Sequence, residues 1–393
     1  MRIAFVRGAF LNPWELQSYQ TLAKPFSILP IGADWQFYRT PIQIPGISIE
    51  KATVAGGSLA TFGERGPILY NKATSWLFGV SYGLADLDRF SASCDLLHSA
   101  ELHSTLTAQC LAIKRRTGVP VVITVWENLP HQGELHPFRR YRKQQASHQV
   151  DGILAVTETT KRMLISEGIS SDRITVIPMA VDLNHFKPTP KDPQLLAQFG
   201  LTPDDFIVLF VGRLESEKGV AELLDTIPTI LAQFPSQRIR FCFVGEGSWS
   251  QRLLKSGAYL HDSIRVHPFI SYAELPKVHN LADVFVLPSK PTPKWQEQFG
   301  YVLVESMACG KPIVTTSSGS IPDVVGDAAI MVSPADVAAL SSQIVRLIAS
   351  PEERVLYAQK ALGRAQTLYN PKTVSDHISR FYQKVLCSSS ADK

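Results

Sequence analysis

The chain has 393 residues, 45% of them apolar and 19% charged, with a formal net charge of +4. That length exceeds what one hydrophobic core usually serves, so two domains are expected. The charge is too mild to point to nucleic acid, although it leaves room for an anionic substrate or membrane surface. Five scattered cysteines without a CxxC pair argue against zinc and against a disulfide framework, and they fit a reducing compartment.

The N-terminus, MRIAFVRGAF, is too quickly interrupted for a signal peptide and reads as a buried strand over residues 2–6. The loop after it, residues 7–15, is expected to face a binding crevice, as loops at the carboxyl ends of parallel strands do. Short strands and turns follow, then a helical stretch over 72–90 and a strand ending at His98, with residues 99–103 in the next loop or helix start. A helix over 105–116 stops at Gly118, and the β-branched run 119–125 is a buried strand. Residues 126–131 form another crevice-facing loop. A basic segment, 138–143, leads to a strand over 152–156, a helix over 159–167 and a strand over 174–177. After a linker at 184–189, a second half begins with the strand 206–211 and a glycine-bounded loop, 212–219. A helix over 220–234, strands at 239–244, 264–266 and 284–288, then 313–315 and 329–332, and a helix over 334–349 complete it. A final helix, 373–386, crosses back to the first half. No run of about 18 apolar residues exists, so nothing spans a membrane. Strand and helix alternate throughout, which argues an α/β fold with doubly wound parallel sheets.

Chemistry concentrates in residues 297–312. Glu297 precedes Gly300, after which an apolar segment carrying Glu305 runs to Gly310 and Pro312, as expected of a short buried helix. A glycine just before a helix lets backbone N–H groups approach an anion closely. The pattern reads as a phosphate-bearing ligand at Gly300 between two carboxylates suited to hydroxyl groups. Arg213 and Lys218 supply two cations in the loop after strand 206–211, a clamp for a diphosphate that needs no metal. Gly245-Glu246-Gly247 lacks the third glycine of a dinucleotide fingerprint.

Together VGRLESEKG (211–219), VGEG (244–247), AELPKVHNLADVFVLPS (273–289), EQFGYVLVESMACGKPIV (297–314) and the segment 153–186 resemble the retaining glycosyltransferases of family 4. The resemblance implies a GT-B fold: two Rossmann-like domains facing across a cleft. Residues 1–185 with the helix 373–386 would bind the acceptor, and residues 190–370 the nucleotide sugar. It implies a metal-independent transfer from a nucleotide-diphosphate sugar to an acceptor hydroxyl with retention, and no cofactor. Arg213 and Lys218 match the basic pair on the diphosphate, Glu297 the carboxylate on the transferred sugar, and Glu305 the ribose ligand. Gly212, Phe299, Gly300 and Tyr301 fall in the donor loops, and Gly245, Glu246, Phe269 and Ile270 beside the base.

The first half departs from the family pattern. Arg7-Gly8-Ala9-Phe10 replaces a glycine pair, leaving Gly8 as the candidate for donor contact, and Met179-Ala180 replaces Asn-Gly. Trp126-Glu127 stands where many members have His-Asp, so the polar group near sugar or acceptor is open among Trp126, Glu127, His98, His103 and His131; Glu127 is taken as a catalytic candidate with Glu297, Arg213 and Lys218. The basic-aromatic segment 138–143 is a candidate for contact with an anionic membrane, but a solvated helix face is the preferred account. The expected setting is the cytoplasm, with or without peripheral contact at the membrane face. Two rival functions are a nucleotide-sugar epimerase on the same fold and a non-catalytic nucleotide-sugar-binding partner of another transferase. Lipid, saccharide and small-molecule acceptors all stay open, as does the oligomeric state.

Overall fold

A computed structural model describes residues 1–34, 36, 48–54, 72–77, 82–132, 134, 136–260 and 263–391. The chain divides into two compact units, Met1–Ala180 with Pro371–Lys393, and Val181–Asn370.

The first unit holds a seven-stranded sheet of β1 (Arg2–Gly8), β2 (Ser27–Ala33), β3 (Glu50–Ala52), β4 (Leu96–Ala100), β5 (Val121–Val125), β6 (Gly152–Ala155) and β7 (Ile174–Val176). Its order is β3-β2-β1-β4-β5-β6-β7 and every pairing is parallel. A parallel sheet covered on both faces needs strands without polar alternation, and β5, Val-Val-Ile-Thr-Val, is buried at all five positions. Helix α1 (Thr105–Thr117) starts where Ser104 accepts from the Thr107 N–H and ends at Gly118, whose φ of +74° closes the last turn. Helices α2 (Pro137–Gln149) and α3 (Glu158–Ser166) precede β6 and β7. Of the stretch expected to be helical over 72–90, residues 78–81 lie outside the described residues, and Leu87–Ser91 is helical.

The last helix, Pro371–Ala391, belongs to this first unit. Ser375 Oγ donates to the Ser18 carbonyl (2.9 Å), and the Tyr382 hydroxyl lies 2.6 Å from His98 Nδ1. The helix comes so close to β6 that a β-carbon on Gly152 would meet Val385 at 2.9 Å and Phe381 at 3.0 Å.

The second unit has six parallel strands, β8 (Phe206–Val211), β9 (Ile239–Val244), β10 (Ile264–His267), β11 (Val284–Leu287), β12 (Ile313–Thr316) and β13 (Ile330–Val332), in the order β10-β9-β8-β11-β12-β13. Helices α4 (Val220–Gln233), α5 (Leu275–Leu281), α6 (Tyr301–Ala308), α7 (Val337–Ala349) and α8 (Pro351–Leu368) accompany the sheet. Both sheets are doubly wound, as the strand–helix alternation predicts. In each, the strand order reverses once, between β1 and β4 and between β8 and β11, and ligands of such sheets bind at the carboxyl ends of the strands at that switch point.

Two elements differ from expectation. Helix α8 has no counterpart in the sequence reading because its buried face is made of small residues, Ala361 and Ala365, rather than a stripe of large apolar ones. Its visible signal is the cap: Ser350 accepts from the Glu353 N–H, with Pro351 in the first turn. Strand β4 runs on to Ala100, so His98 sits inside a strand and not at the edge of a loop.

Candidate active site

In the second unit the switch point gathers the loops after β8 and β11. The β8 loop turns through Ser216–Lys218 into Gly219, whose φ is +76° and whose β-carbon, were there one, would lie 1.9 Å from the Pro288 carbonyl oxygen. Only glycine permits this contact. It brings Lys218 beside the chain that follows β11, and Lys218 Nζ lies 2.8 Å from Glu297 Oε2. Ser289, the second residue after β11, donates to the same oxygen at 2.9 Å, while Lys218 also sits 4.6 Å from the Trp295 ring centroid. The Glu297 backbone is fixed as well: its carbonyl accepts from the Ser320 N–H at 2.8 Å, beside Gly319, where a β-carbon would come within 2.2 Å of that oxygen. The carboxylate is thus buried and doubly bonded.

Gly300 (φ +77°) caps α6, and the first N–H groups of that helix follow it. Glu305, one turn further, is buried and has His279 Nε2 3.5 Å from its Oε2. Phe299 is a core side chain, its ring against Tyr301 and Tyr369, so only its backbone is available to a ligand. Arg213 is 58% exposed and is paired with Glu217 at 3.0 Å. The structure therefore brings Lys218, Glu297 and Ser289 into one bonded cluster and leaves Arg213 at the surface.

Gly212 and Gly245 meet backbone to backbone: a β-carbon on Gly245 would lie 1.9 Å from the Gly212 oxygen, and Leu214 N–H donates to the Glu246 carbonyl at 2.8 Å. These glycines let two strand ends close on each other. Glu246 is exposed, Ile270 half-buried, and Phe269 is an exposed aromatic just beyond β10.

In the first unit the loops after β4 and β5 bring together Glu101, His103 and Glu127, whose ligand atoms lie within 4.8 Å of one another. Glu101 Oε1 accepts from the Trp126 N–H at 2.9 Å, and Glu101 holds the left-handed conformation (φ +57°) that side chains rarely adopt. Burial, with the Glu127 charge beside it, pushes the Glu101 carboxyl up to about 8. Burial pulls the His103 imidazole down, but Glu127, 3.6 Å away, and Glu101 outweigh that and raise it. Among the described residues, these two acids and the histidine are one of two groups with the geometry to hold a divalent cation. The second group, His131, Glu134 and Glu167, already has a cation: Lys143 Nζ lies 2.9 Å from Glu134 and 2.5 Å from Glu167.

Other expected residues take packing roles. His98 is fully buried, its nitrogens 2.6 Å from Tyr382 Oη and 2.8 Å from Thr124 Oγ1, and burial with the charge of Arg7 holds its imidazole far below the usual range. That removes it from the acceptor-side candidates. Gly8 is buried against Leu106 and Leu84. Arg7 is not in a loop but at the end of β1, ion-paired to Glu15 at 2.6 Å and donating to the Val6 and His98 carbonyls. His131 is a surface residue. The cations of 138–143 turn toward protein: Arg139 to Ser75, Arg140 to the Glu134 carbonyl, Arg142 to the His103 carbonyl, and Lys143 inward. Phe138 and Tyr141 stay exposed. Among the described residues, no helix is long and apolar enough to cross a membrane.

Residues 192–364 match the family described as glycosyl transferases group 1, and residues 59–185 match glycosyltransferase family 4. The D-inositol 3-phosphate glycosyltransferase of Nocardiopsis dassonvillei is 30% identical over 306 residues, 72% of this chain and 68% of that protein. The chain is a family 4 glycosyltransferase. The D-inositol 3-phosphate glycosyltransferase of Frankia alni is 31% identical over 293 residues, 69% of this transferase and 70% of its own length. Among solved structures, Anabaena Alr3699/HepE in complex with UDP superposes with a TM-score of 0.73 at 20% identity, over 98% of this chain and 100% of that one. Sucrose-phosphate synthase from Thermosynechococcus elongatus does so at 0.67 and 17%, over 98% of this chain and 99% of that one. Those likenesses establish the GT-B fold of the transferase. The family matches and the D-inositol 3-phosphate glycosyltransferases are named for glycosyl transfer, which supports a transferase over the epimerase and silent-binder readings.

Sequence reasoning misses Ser289, Trp295, Glu101 and His279 in this transferase. Ser289 and Trp295 have a usable signal in their place between β11 and Glu297. Glu101 and His279 carry no local signal, since only the packing of neighbouring elements gives them a carboxylate partner.

Proposed function

We propose that the transferase moves a sugar from a nucleotide-diphosphate donor to an acceptor hydroxyl, with retention of configuration and without a metal ion. The observation that carries this reading is the Lys218–Glu297 pair, 2.8 Å apart beside the start of α6 at Gly300. A cation, a carboxylate and a helix N-terminus lie together at one switch point, as a sugar diphosphate requires.

Breaking the sugar–phosphate bond builds positive charge at the anomeric carbon and negative charge on the departing diphosphate. Lys218, Arg213 swinging from the surface, and the N–H groups after Gly300 meet the negative charge. Fixed donors aimed at developing charge usually lower a reaction barrier more than any other device in an active site. Glu297, held by Lys218 and Ser289, accepts from hydroxyls of the transferred sugar. Glu305 accepts from the ribose, and exposed Phe269 covers the base. In a retaining displacement without an enzyme nucleophile, the acceptor attacks on the face the diphosphate leaves, and the leaving phosphate oxygen takes the acceptor's proton. On the acceptor side, Glu127 with His103 and Glu101 offers acceptors for hydroxyl groups. Since relatives are named for D-inositol 3-phosphate and HepE was crystallised with UDP-glucose, uracil nucleotides and polyol acceptors come first for testing.

The test is turnover of UDP-glucose and other nucleotide sugars with a polyol panel, with and without EDTA, and the anomeric configuration of the product read by NMR. Retention with full activity in EDTA supports the reading; an inverted product or strict dependence on a divalent ion overturns it.

A further inference from the structure

The donor-side reading leaves one buried group without a task. His279 on α5 is 0% exposed, with the rings of Phe285 and Phe186 at 5.4 and 6.0 Å. Neither ring nitrogen has a hydrogen-bond partner, and neither does Oε2 of Glu305, the enclosed oxygen that faces it. Nε2 and Oε2 stand 3.5 Å apart, just beyond an ordinary N–H···O bond. A phenylalanine or leucine would fill this aromatic surround without leaving nitrogens unsatisfied, so the imidazole needs an account. So does a carboxylate oxygen enclosed with no bonded donor, since burial penalises its charge.

The histidine is not free to move elsewhere. Asn280, the next residue, ties α5 to the chain before β8: its side chain donates to the Lys187 carbonyl at 2.9 Å and accepts from the Thr189 N–H at 3.0 Å, while a further bond to the Pro276 carbonyl stays within α5. Those two attachments anchor α5 with His279 facing Glu305.

We propose that His279 is the positioning residue for Glu305. Its Nε2–H donates to Oε2 when a nucleotide draws the carboxylate into place, so that Oε1 is presented to the two ribose hydroxyls. The inference rests on the assignment of Glu305 to the ribose, and it adds what aims that carboxylate. A small rotation of the glutamate closes the gap from 3.5 Å to bonding distance, and two polar atoms then satisfy each other.

The experiment compares binding of UDP, GDP and ADP with their 2′,3′-dideoxy counterparts, by calorimetry, in the full chain as wild type, His279→Phe, His279→Gln and Glu305→Ala. A hydrogen bond to a carboxylate typically changes affinity by a factor of about ten or more, so the wild type is expected to prefer the ribose form at least tenfold. His279→Phe, which fills the cage but lacks the donor, should lose most of that preference with diphosphate binding retained. His279→Gln, which keeps an N–H near Nε2, should recover it. A merely structural histidine would lower the melting temperature and leave the ribose preference intact. If Glu305→Ala abolishes the preference while His279→Phe keeps it, the inference is overturned and the donor reading survives. If Glu305→Ala keeps the preference, or none of the diphosphates binds, the ribose assignment falls and the inference with it.

Discussion

Gly219 and the carbonyl oxygen of Pro288 are packed so closely that a single added carbon would stand 1.9 Å from that oxygen. Two loops at the β8–β11 switch point are thereby held in register, and the Lys218–Glu297 bond depends on that register. Gly219→Ala must both adopt φ +76° and push the β11 loop away. The expected result is a loss of stability of about 1–3 kcal/mol or more together with loss of transfer. Urea unfolding and a donor-turnover assay would check it; wild-type turnover in a folded Gly219→Ala protein would contradict the arrangement.

The two cations of the loop after β8 should separate in their effects. Lys218 is bonded to a buried carboxylate, so Lys218→Ala should cut kcat/KM by about a hundredfold or more and also lower the melting temperature, because Glu297 loses its cation. Arg213 is 58% exposed, with Glu217 as its partner. Arg213→Ala should therefore impair transfer while stability stays within about 0.5 kcal/mol. Steady-state kinetics beside thermal melts distinguish the two patterns.

Removing His98 should have the opposite signature. His98→Leu strands Tyr382 Oη in the interior, at a cost of about 1–3 kcal/mol, and takes one partner from Thr124 Oγ1, which keeps the Arg7 guanidinium. Stability should fall markedly, with kcat unchanged in the folded fraction. A selective loss of kcat at wild-type stability would return His98 to the acceptor side.

Glu101 makes the stability of the transferase depend on pH. Below about 4.5, its ordinary value, folded and unfolded chains both carry the proton. Between there and about 8 the unfolded chain has lost the proton that the folded chain keeps, so folding binds a proton and stability declines as pH rises. Above about 8 the decline ends. Glu101→Gln should flatten this slope and raise the melting temperature at pH 9 by several degrees relative to wild type. Melting curves from pH 5 to 9 would test it, and parallel curves for the two proteins would refute the raised carboxyl.

The second unit is legible in the sequence because its chemistry is local. Gly300, Glu305 and the β8 loop lie in contiguous motifs whose punctuation marks the turns. What stays hidden depends on distance along the chain or on burial. Strand β4 reads as an apolar run that a histidine interrupts, so His98 passes for a boundary, and only the last helix reveals its partner, 284 residues later. Helix α8 is concealed because it packs through alanines. Lys218 and Glu297 each stand out on their own, but their pairing, 79 residues apart, follows from Gly219. The first-unit cluster is half visible: His103 and Glu127 stand out as loop residues, whereas Glu101 needs the unusual backbone conformation that turns it toward them.

The last helix completes the first unit although the second unit is inserted before it in the chain. On a ribosome, Val181–Asn370 is therefore an uninterrupted segment that can fold as soon as it emerges, while the earlier Met1–Ala180 waits for Pro371 onward. Until then Gly152 has no helix against it, and His98 has no hydroxyl from Tyr382. The half of the protein made first is the half finished last.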